Sequence, residues 1–298
     1  MNKISPIILF TYNRPIHTQR TVEALLKNQY AVESDLIIYS DAPKDKKSHQ
    51  GVMNTRQYIH SVTGFKSVRI IEREKNFGLA DNIIDGVTSI VKEYGRIIVM
   101  EDDMITSPYF LKYMNEALQI YENEESVISI HGYTPSIKNN LPETFFIKGA
   151  DCWGWATWKR GWELFVSDGI ALLNELKRTK RINEFDFEGA YPYTKMLKKH
   201  IRGEVNSWAI RWYASAFLRN KLTLYPGRSL VFNIGEDGSG THCSDDQALN
   251  VKLSTTPINV SKIEIKESKK GRKAFVHYFR YTRIKRIIIS RLKKLFSK

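Results

Sequence analysis

Three consecutive acids follow an apolar run in the first third of the chain. Residues 96–100 read Arg-Ile-Ile-Val-Met and lead directly into Glu101, Asp102 and Asp103. Like charges a few ångströms apart repel each other, and a bound divalent cation removes that cost. Hard cations such as Mg²⁺ and Mn²⁺ prefer carboxylate oxygens and can bridge to phosphate oxygens. The pattern therefore predicts either a metal site or a solvated loop that caps the helix predicted from Pro108.

Two further segments carry side chains suited to chemistry. Residues 151–158 hold three of the six tryptophans, and indole rings stack on the apolar faces of sugars. This segment predicts either the wall of a sugar site or an aromatic cluster in the core. Residues 233–243 are rich in glycine, which favours a lid over a phosphate group. His242 in that loop is then either a metal or phosphate ligand or a structural residue.

Alternating strand and helix patterns in the first 130 residues position the acids. Short apolar runs at 6–12, 36–40, 68–72 and 96–100 alternate with helical patterns, among them 48–62, 80–94 and 108–121. This alternation predicts an α/β fold with a mostly parallel central sheet flanked by helices. In such sheets ligands bind beyond the carboxyl ends of the strands. Arg14, Asp41, Asp102 and Asp103 all follow strand ends, which indicates one common site. The second half is less regular, with helices predicted near 170–178, 191–202 and 207–220.

Residues 97–110, Ile-Ile-Val-Met-Glu-Asp-Asp-Met-Ile-Thr-Ser-Pro-Tyr-Phe, resemble the acidic motif of GT-A glycosyltransferases. The closest resemblance is to N-acetylglucosaminyltransferase I and to bacterial surface-polysaccharide (family 2-like) glycosyltransferases. Three upstream segments resemble the same family in order and spacing: Thr-Tyr-Asn-Arg-Pro at 11–15, Tyr-Ser-Asp at 39–41 and Glu-Lys-Asn-Phe-Gly-Leu-Ala-Asp-Asn at 74–82. Four elements agree across about 110 residues, which implies a GT-A (Rossmann-like) fold.

The resemblance assigns roles residue by residue. For the nucleotide-sugar donor, the resemblance implies that Arg14 and Asp41 contact the base and ribose and that Asp102 contacts the ribose and sugar. It also implies that Asn76, Gly78 and Asn82 shape the donor pocket and that Trp155 lies beside the sugar. Asp103 would be the principal ligand of Mn²⁺ or Mg²⁺, with Glu101 and His242 as further ligands. For Gly78, a purely conformational role at the start of a helix is the alternative.

The catalytic base does not transfer from the family. Residues 206–212, Asn-Ser-Trp-Ala-Ile-Arg-Trp, match the place where the family carries its catalytic carboxylate, yet no acid stands between the two tryptophans. An inverting transfer needs such a group within about 3 Å of the acceptor hydroxyl. Glu204 is the first candidate, followed by Asp151 and Asp237. Each of the three is otherwise a plain surface acid.

The positive charge of the chain is concentrated at its end. Of the net charge of +14, residues 266–298 supply thirteen lysines and arginines against one acid, so the other residues carry only about +2. Apolar residues at spacings of three and four alternate with bases over 274–296 and predict an amphipathic helix. Such a helix lies on an anionic membrane surface. A packed terminal helix and a nucleic-acid-binding tail are the alternatives, and the lack of a basic groove in the body argues against nucleic acid.

Other features bound the cellular setting. Cys152 and Cys243 are too few for a disulfide framework, which favours a reducing cytosol. The first apolar run is too short for a signal peptide, and the sequence contains no apolar run of about 20 residues. We therefore expect a cytoplasmic protein that is peripheral on the inner face of the cell membrane.

Together these features predict a metal-dependent glycosyltransferase, and the resemblance implies that it inverts the anomeric configuration. It would move a hexose or N-acetylhexosamine from a nucleoside diphosphate sugar, with a UDP-sugar favoured, to a glycan or lipid-linked acceptor in bacterial surface polysaccharide biosynthesis. We expect residues 1–130 to bind the nucleotide sugar, 131–262 to bind the acceptor within the same domain, and 263–298 to form the membrane-associating tail. A sugar-nucleotide nucleotidyltransferase is disfavoured because residues 11–15 lack glycine. A non-catalytic membrane-binding module is disfavoured by the intact acids.

Overall fold

The computed structural model describes residues 4–137, 141–235 and 251–296. Its first part alternates strands and helices as predicted, and each end lies within two residues of the predicted one where both ends were predicted. The elements are β1 (Ile7–Thr11), α1 (Pro15–Leu26), β2 (Asp35–Ser40), α2 (Lys46–His60), β3 (Ser67–Glu72), α3 (Leu79–Tyr94) and β4 (Arg96–Glu101).

The second part contains strands that the sequence patterns did not reveal. Its elements are β5 (Met104–Thr106), α4 (Phe110–Ile120), β6 (Val127–His131), β7 (Thr144–Lys148), β8 (Trp155–Trp158), α5 (Lys159–Trp162), α6 (Gly169–Arg178), α7 (Ile182–Phe185), α8 (Tyr193–Ile201), α9 (Trp208–Leu218), β9 (Leu222–Pro226), β10 (Val231–Asn233) and α10 (Lys269–Phe296). The tryptophan-rich segment thus contributes a strand, because its aromatic side chains pack on both faces of a sheet.

The central sheet has the strand order β3-β2-β1-β4-β8-β6-β9-β7. Only β8 and β7 run against the other strands of the described sheet, so the prediction of a mostly parallel sheet is confirmed. The carboxyl ends of β1, β2, β4 and β6 therefore lie at one edge. A separate antiparallel pair, β5 with β10, lies just after the end of β4 and pairs Met104 with Asn233.

The sheet is buried on both faces, which explains its continuous apolar strands. Side chains of β1 and β4 alternate between two cores: Ile7, Leu9, Ile98 and Met100 enter one, and Ile8, Phe10, Ile97 and Val99 enter the other. Burying each such side chain contributes about 1.5–3 kcal/mol. The buried stripe of α3 and the helix α9 cover the second core.

Helix α10 begins as a packed part of the domain. Phe275 and Tyr278 are buried, and the Phe275 ring lies 6.2 Å from that of Phe145 in β7. Further along, Tyr281 and Ile284 are exposed. Within the described residues, no helix combines the length and the apolar character needed to span a bilayer.

Candidate functional site

The predicted acids meet Arg14 at the end of β4. Arg14 lies in the short turn between β1 and α1, and β1 lies next to β4 with Phe10 opposite Glu101. Its Nη2 donates to Asp102 Oδ1 and, at 2.8 Å, to Asp103 Oδ2. We call Arg14, Glu101, Asp102 and Asp103 the strand-end cluster. The structure thus brings together Arg14, Asp102 and Asp103, three of the four residues that the strand ends predicted in one site, and places Asp41 in a separate turn.

Burial and mutual repulsion set the protonation of this cluster. Burial, together with the charges of Asp103 and Asp102, raises the pKa of Glu101 to about 8. Burial also raises the pKa of Asp102 to about 6, although Arg14 opposes the rise. For Arg14, burial lowers the pKa, but the two carboxylates outweigh it and the net shift is upward. One fixed cation therefore compensates an excess of acids, which leaves the cluster suited to a second cation.

Asp103 offers an open position for a metal ion. Its Oδ1 is buried and has no hydrogen-bond partner among the described residues, and neither has Arg14 Nη1. Within residues 4–137, 141–235 and 251–296, no group of three or more His, Cys, Asp or Glu side chains is arranged to hold a metal alone. Mg²⁺ bound with phosphates is usually held by one or two carboxylates, the phosphates and water. Asp103 Oδ1 fits that mode; Glu101 must first lose its proton, and His242 lies outside the described residues.

The chain after β10 closes over the strand-end cluster. The backbone N–H of Ile234 donates to the carbonyl of Asp103 at 2.8 Å. Gly235 then passes so close that a Cβ atom there would collide with the Asp103 carboxylate and lie 3.1 Å from Arg14 Nη1. Only glycine allows this approach.

Asp41 holds a turn of its own chain. Its carboxylate accepts hydrogen bonds from the backbone N–H groups of Ala42, Phe77 and Gly78, each at 2.9 Å, and from Asn76 Nδ2 at 3.2 Å. The side chain is buried. Gly78 has a φ of 73°, which favours glycine and supports its conformational role. The structure thus brings Asp41, Asn76 and Gly78 together, with the carboxylate oxygens already engaged by the protein.

Asn82 is buried behind a residue that the sequence patterns missed. Its Oδ1 accepts a hydrogen bond from Arg73 Nε at 2.9 Å. The guanidinium of Arg73 lies over the rings of Tyr39, at 4.7 Å, and Phe77, at 4.2 Å. The signal for Arg73 in the sequence was its place directly after β3, at the same sheet edge.

Trp155 lies in the core of the domain. It is 1% exposed, and its ring stacks on Trp208 at 5.5 Å and lies 5.8 Å from Trp212. No face of its indole is open to a sugar, so the structure replaces the predicted donor contact of Trp155 with the aromatic-core alternative. Trp153 is the partly exposed indole of this segment, and its ring meets Tyr133 edge-on at 4.7 Å.

Asp151 lies among buried side chains in the connection between β7 and β8. Its Oδ1 accepts from the backbone N–H of Cys152 at 3.0 Å, and its Oδ2 accepts from the Tyr225 hydroxyl at 3.3 Å. The Nε2 atom of His131, the last residue of β6, lies 3.8 Å from Oδ2. We call His131, Asp151, Cys152 and Tyr225 the Asp151 cluster. His131 and Tyr225 were not predicted, although His131 ends a β-branched run as the other site residues do.

The Asp151 cluster borders the strand-end cluster. Burial raises the pKa of the Cys152 thiol, and the nearby carboxylates of Asp151, Glu101 and Asp103 add to the rise. Cys152 therefore lies within electrostatic range of both sets of acids. The Asp151 side chain is 38% exposed, so it is accessible to solvent, whereas its neighbour His131 is fully buried.

The other two predicted bases are placed differently. Glu204 is half exposed and accepts a hydrogen bond from Arg202 Nε at 2.5 Å, which lowers its pKa. None of its described hydrogen bonds or ion pairs joins it to either cluster. In the segment where the family carries its carboxylate, Arg211 donates to the carbonyl of Ser207 at 3.1 Å. Asp237 lies outside the described residues.

Comparison with known proteins gives a family. A family described as Glycosyl transferase family 2 matches residues 7–168, which is more than half of the chain. This stretch contains the strand-end cluster and the Asp151 cluster apart from Tyr225. No curated protein sequence matches the chain.

Several solved structures are similar at low identity. Residues 1–349 of S. aureus TarS are 14% identical with a TM-score of 0.41, covering 76% of this chain and 59% of that one. Mannosyltransferase PcManGT from Pyrobaculum calidifontis, in complex with GDP-Man and Mn²⁺, is 11% identical with a TM-score of 0.34, covering 44% and 35%. Mouse xyloside xylosyltransferase 1 is 10% identical with a TM-score of 0.30, covering 46% and 56%. The chain spans less than two thirds of the length of each.

Proposed function

Because this chain belongs to glycosyl transferase family 2, we propose that it transfers a sugar from a nucleoside diphosphate sugar by a metal-assisted, inverting displacement. Family membership confirms the predicted enzyme class and the GT-A type of fold. The closer resemblance to N-acetylglucosaminyltransferase I stays a prediction. The observation that carries the proposal is the strand-end cluster, where Arg14 compensates Asp102 and Asp103 and an oxygen of Asp103 stays open.

The strand-end cluster would bind the diphosphate of the donor. Asp103, with Glu101 after loss of its proton, would hold Mn²⁺ or Mg²⁺, which neutralises charge on a departing diphosphate. Arg14 has an unused Nη1, so it can donate to a phosphate oxygen while Nη2 stays on the carboxylates. Asp102 remains the partner that orients Arg14. Positioned charges of this kind stabilise the developing negative charge without reorganising at the moment of reaction.

Asp151 is the proposed base of the reaction. It is accessible and borders the strand-end cluster, whereas Glu204 is held in an ion pair with Arg202. Asp151 would take the proton of the acceptor hydroxyl while that oxygen forms a bond to the anomeric carbon. The bond from this carbon to the diphosphate oxygen breaks at the same time, and the diphosphate leaves with the electron pair. Attack from the opposite face inverts the configuration.

The finer assignments follow the sequence. We propose a UDP-sugar carrying a hexose or N-acetylhexosamine as donor, a glycan or lipid-linked acceptor, and a role in bacterial surface polysaccharide biosynthesis. The basic end of α10 supports a lipid-linked acceptor, because Tyr281 and Ile284 are exposed among the bases Arg280, Arg283 and Lys285. Such a surface suits the interface of an anionic membrane. We also propose the three-part division at residues 130 and 262 and a place on the inner face of the cell membrane.

Release of nucleoside diphosphate tests the proposal. The parent is incubated with UDP-glucose, UDP-N-acetylglucosamine or GDP-mannose, with Mn²⁺ or with EDTA, and water serves as acceptor. We expect release from at least one donor with Mn²⁺ only, and a loss of about a thousandfold in Asp103→Asn, since the metal stabilises the transition state by several kcal/mol. Asp35→Asn is the matched control, because Asp35 pairs with Lys66 at the far end of β2. Equal rates in Asp103→Asn and the parent would remove the metal role.

A further inference from the structure

His131 is an unusual residue within the Asp151 cluster. None of its side-chain surface is exposed, and its ring packs at 4.9 Å from the ring of Tyr225 and at 6.3 Å from that of Tyr133. Neither ring nitrogen has a hydrogen-bond partner among the described residues. Buried polar groups are nearly always paired, because leaving one unpaired costs its full desolvation free energy. Packing alone would be better served by an apolar side chain, so the imidazole needs another reason.

The geometry around His131 supplies that reason. Its Nε2 lies 3.8 Å from Asp151 Oδ2, about 0.6 Å beyond the upper end of the usual N–H···O range. Asp151 has one firm bond, from the backbone N–H of Cys152 at 3.0 Å, and one longer bond, from the Tyr225 hydroxyl at 3.3 Å. Hydrogen bonds of catalytic groups are often long in unliganded enzymes and tighten when the substrates bind.

The ring can donate without bringing a charge into the core. Burial lowers the pKa of His131 to about 4, although Asp151 opposes the shift, so the imidazole is neutral near pH 7. A neutral imidazole has one N–H donor and one acceptor nitrogen. The tautomer with the proton on Nε2 directs this donor at Asp151.

We propose that His131 is a positioning residue for Asp151, and that its Nε2–H donates a hydrogen bond to Asp151 Oδ2 in the loaded site. The inference rests on the proposed role of Asp151 as the base. With His131 and Tyr225 both on Oδ2, the rotation of the carboxylate is fixed. Oδ1 then has one lone pair on the Cys152 N–H and another free for the acceptor proton. His131 itself touches no substrate, because it is fully buried.

Three substitutions separate the hydrogen bond from packing. His131→Gln carries an amide N–H near the place of Nε2, His131→Asn reaches only the place of Nδ1, and His131→Phe keeps the ring volume without a donor. The readout is kcat and KM for whichever of UDP-glucose, UDP-N-acetylglucosamine and GDP-mannose the parent hydrolyses with Mn²⁺. We expect kcat to fall about 10- to 100-fold in the Phe and Asn variants with an unchanged KM, because a misplaced base costs about that much. The Gln variant is expected to recover most of the parent kcat.

A double variant tests the coupling to Asp151. If His131 acts through the base, His131→Phe slows the parent but adds no further loss to Asp151→Asn. A folded His131→Phe variant with the parent kcat would overturn the inference, as would equal losses in the Gln and Phe variants. Should the Phe variant fail to fold, the Gln and Asn variants decide the question in the same way. Failure of the proposed function has a different signature, since Asp151→Asn would then keep the parent rate.

Discussion

The strand-end cluster and the Asp151 cluster are neighbours, but they differ in how their charged groups are paired. In the strand-end cluster, Arg14 bonds to both Asp102 and Asp103, so charges are compensated by charges of the same chain. In the Asp151 cluster, the carboxylate has few donors and the neighbouring His131 has no hydrogen bond among the described contacts. The first arrangement already fixes Arg14 and leaves Asp103 Oδ1 and Arg14 Nη1 for a ligand, whereas the second lacks a hydrogen bond between His131 and its carboxylate.

This difference indicates two ways of preparing a site. A diphosphate with its metal ion must join an existing charge network, which costs little because Arg14 is already fixed. An acceptor hydroxyl must instead find a base whose own bonds tighten as it binds. We therefore expect substitutions at the strand-end cluster to affect every turnover of the donor. Substitutions at the Asp151 cluster should affect the proton transfer and leave donor binding intact.

Among the substitutions that test this comparison, Asp151→Asn is expected to lower kcat the most. The amide cannot take a proton, so kcat for nucleoside diphosphate release should fall about 10²- to 10⁴-fold with donor KM unchanged. Glu204→Gln is the matched control and is expected to keep the parent rate, because Glu204 is half exposed and paired with Arg202. Steady-state kinetics of both variants with the same donor give the answer. If Glu204→Gln slowed the reaction and Asp151→Asn did not, Glu204 would be the base and the Asp151 cluster would have no catalytic role.

A smaller effect is expected from Arg14→Met. This change removes a positioned donor to the diphosphate and leaves Asp102 and Asp103 uncompensated. Loss of one such donor costs about 10²–10³ in rate. Arg14→Lys keeps the charge without the planar fork, so it should recover only part of the rate. Measurement of kcat/KM at saturating Mn²⁺ distinguishes the three proteins, and a Met variant as fast as the parent would show that the ion pair is only structural.

The incomplete bonding of the Asp151 cluster also predicts a pH effect on stability. Burial lowers the pKa of His131 from 6.5 to about 4 in the folded protein, with Asp151 and the Tyr225 hydroxyl facing the ring. As the pH falls below 6.5, His131 becomes protonated in the unfolded chain, whereas in the folded protein it stays neutral until about pH 4. The free energy of unfolding should therefore fall by about 2–3 kcal/mol over this window.

Urea unfolding of the parent and of His131→Phe at pH 6.5 and pH 4.5 isolates that contribution. Other groups titrate in both proteins and cancel in the difference between them. The parent should lose more stability than the variant on acidification. If the difference in unfolding free energy between parent and variant is the same at both pH values, His131 binds its proton as readily in the folded protein as in the unfolded chain.

Much of the strand-end cluster could be predicted from the sequence, because each member lies at or just beyond the end of a strand. The register of parallel strands then determines which side chains meet, and Arg14 and Asp103 needed no other information. The pattern could not tell that the oxygens of Asp41 face the backbone of residues 77–78. Proximity follows from strand order, whereas the direction of a hydrogen bond depends on the turn.

The Asp151 cluster was mostly beyond prediction for a physical reason. His131, Asp151 and Tyr225 come from separate elements, and no local period links them. Trp155 shows a different limit, because an indole uses the same ring faces to stack on a sugar and on Trp208. Composition could not decide between the two, and only the packing of α9 on β8 did.

The smallest effect is expected on membrane binding by the exposed end of α10, a surface that belongs to neither cluster. Ile284 and Ile170 are each 58% exposed, but Ile284 lies among the bases of α10 and Ile170 lies on α6. If the α10 surface enters an anionic bilayer, Ile284→Glu should lose the burial of a side chain that is 58% exposed, about 1.5 kcal/mol or roughly tenfold in binding. Ile170→Glu should bind as the parent does. Cosedimentation with vesicles of phosphatidylglycerol and phosphatidylcholine measures the binding. Added salt should weaken the binding of both variants because it screens the bases. Equal binding of the two variants would leave α10 as a packed helix whose exposed residues contact no membrane.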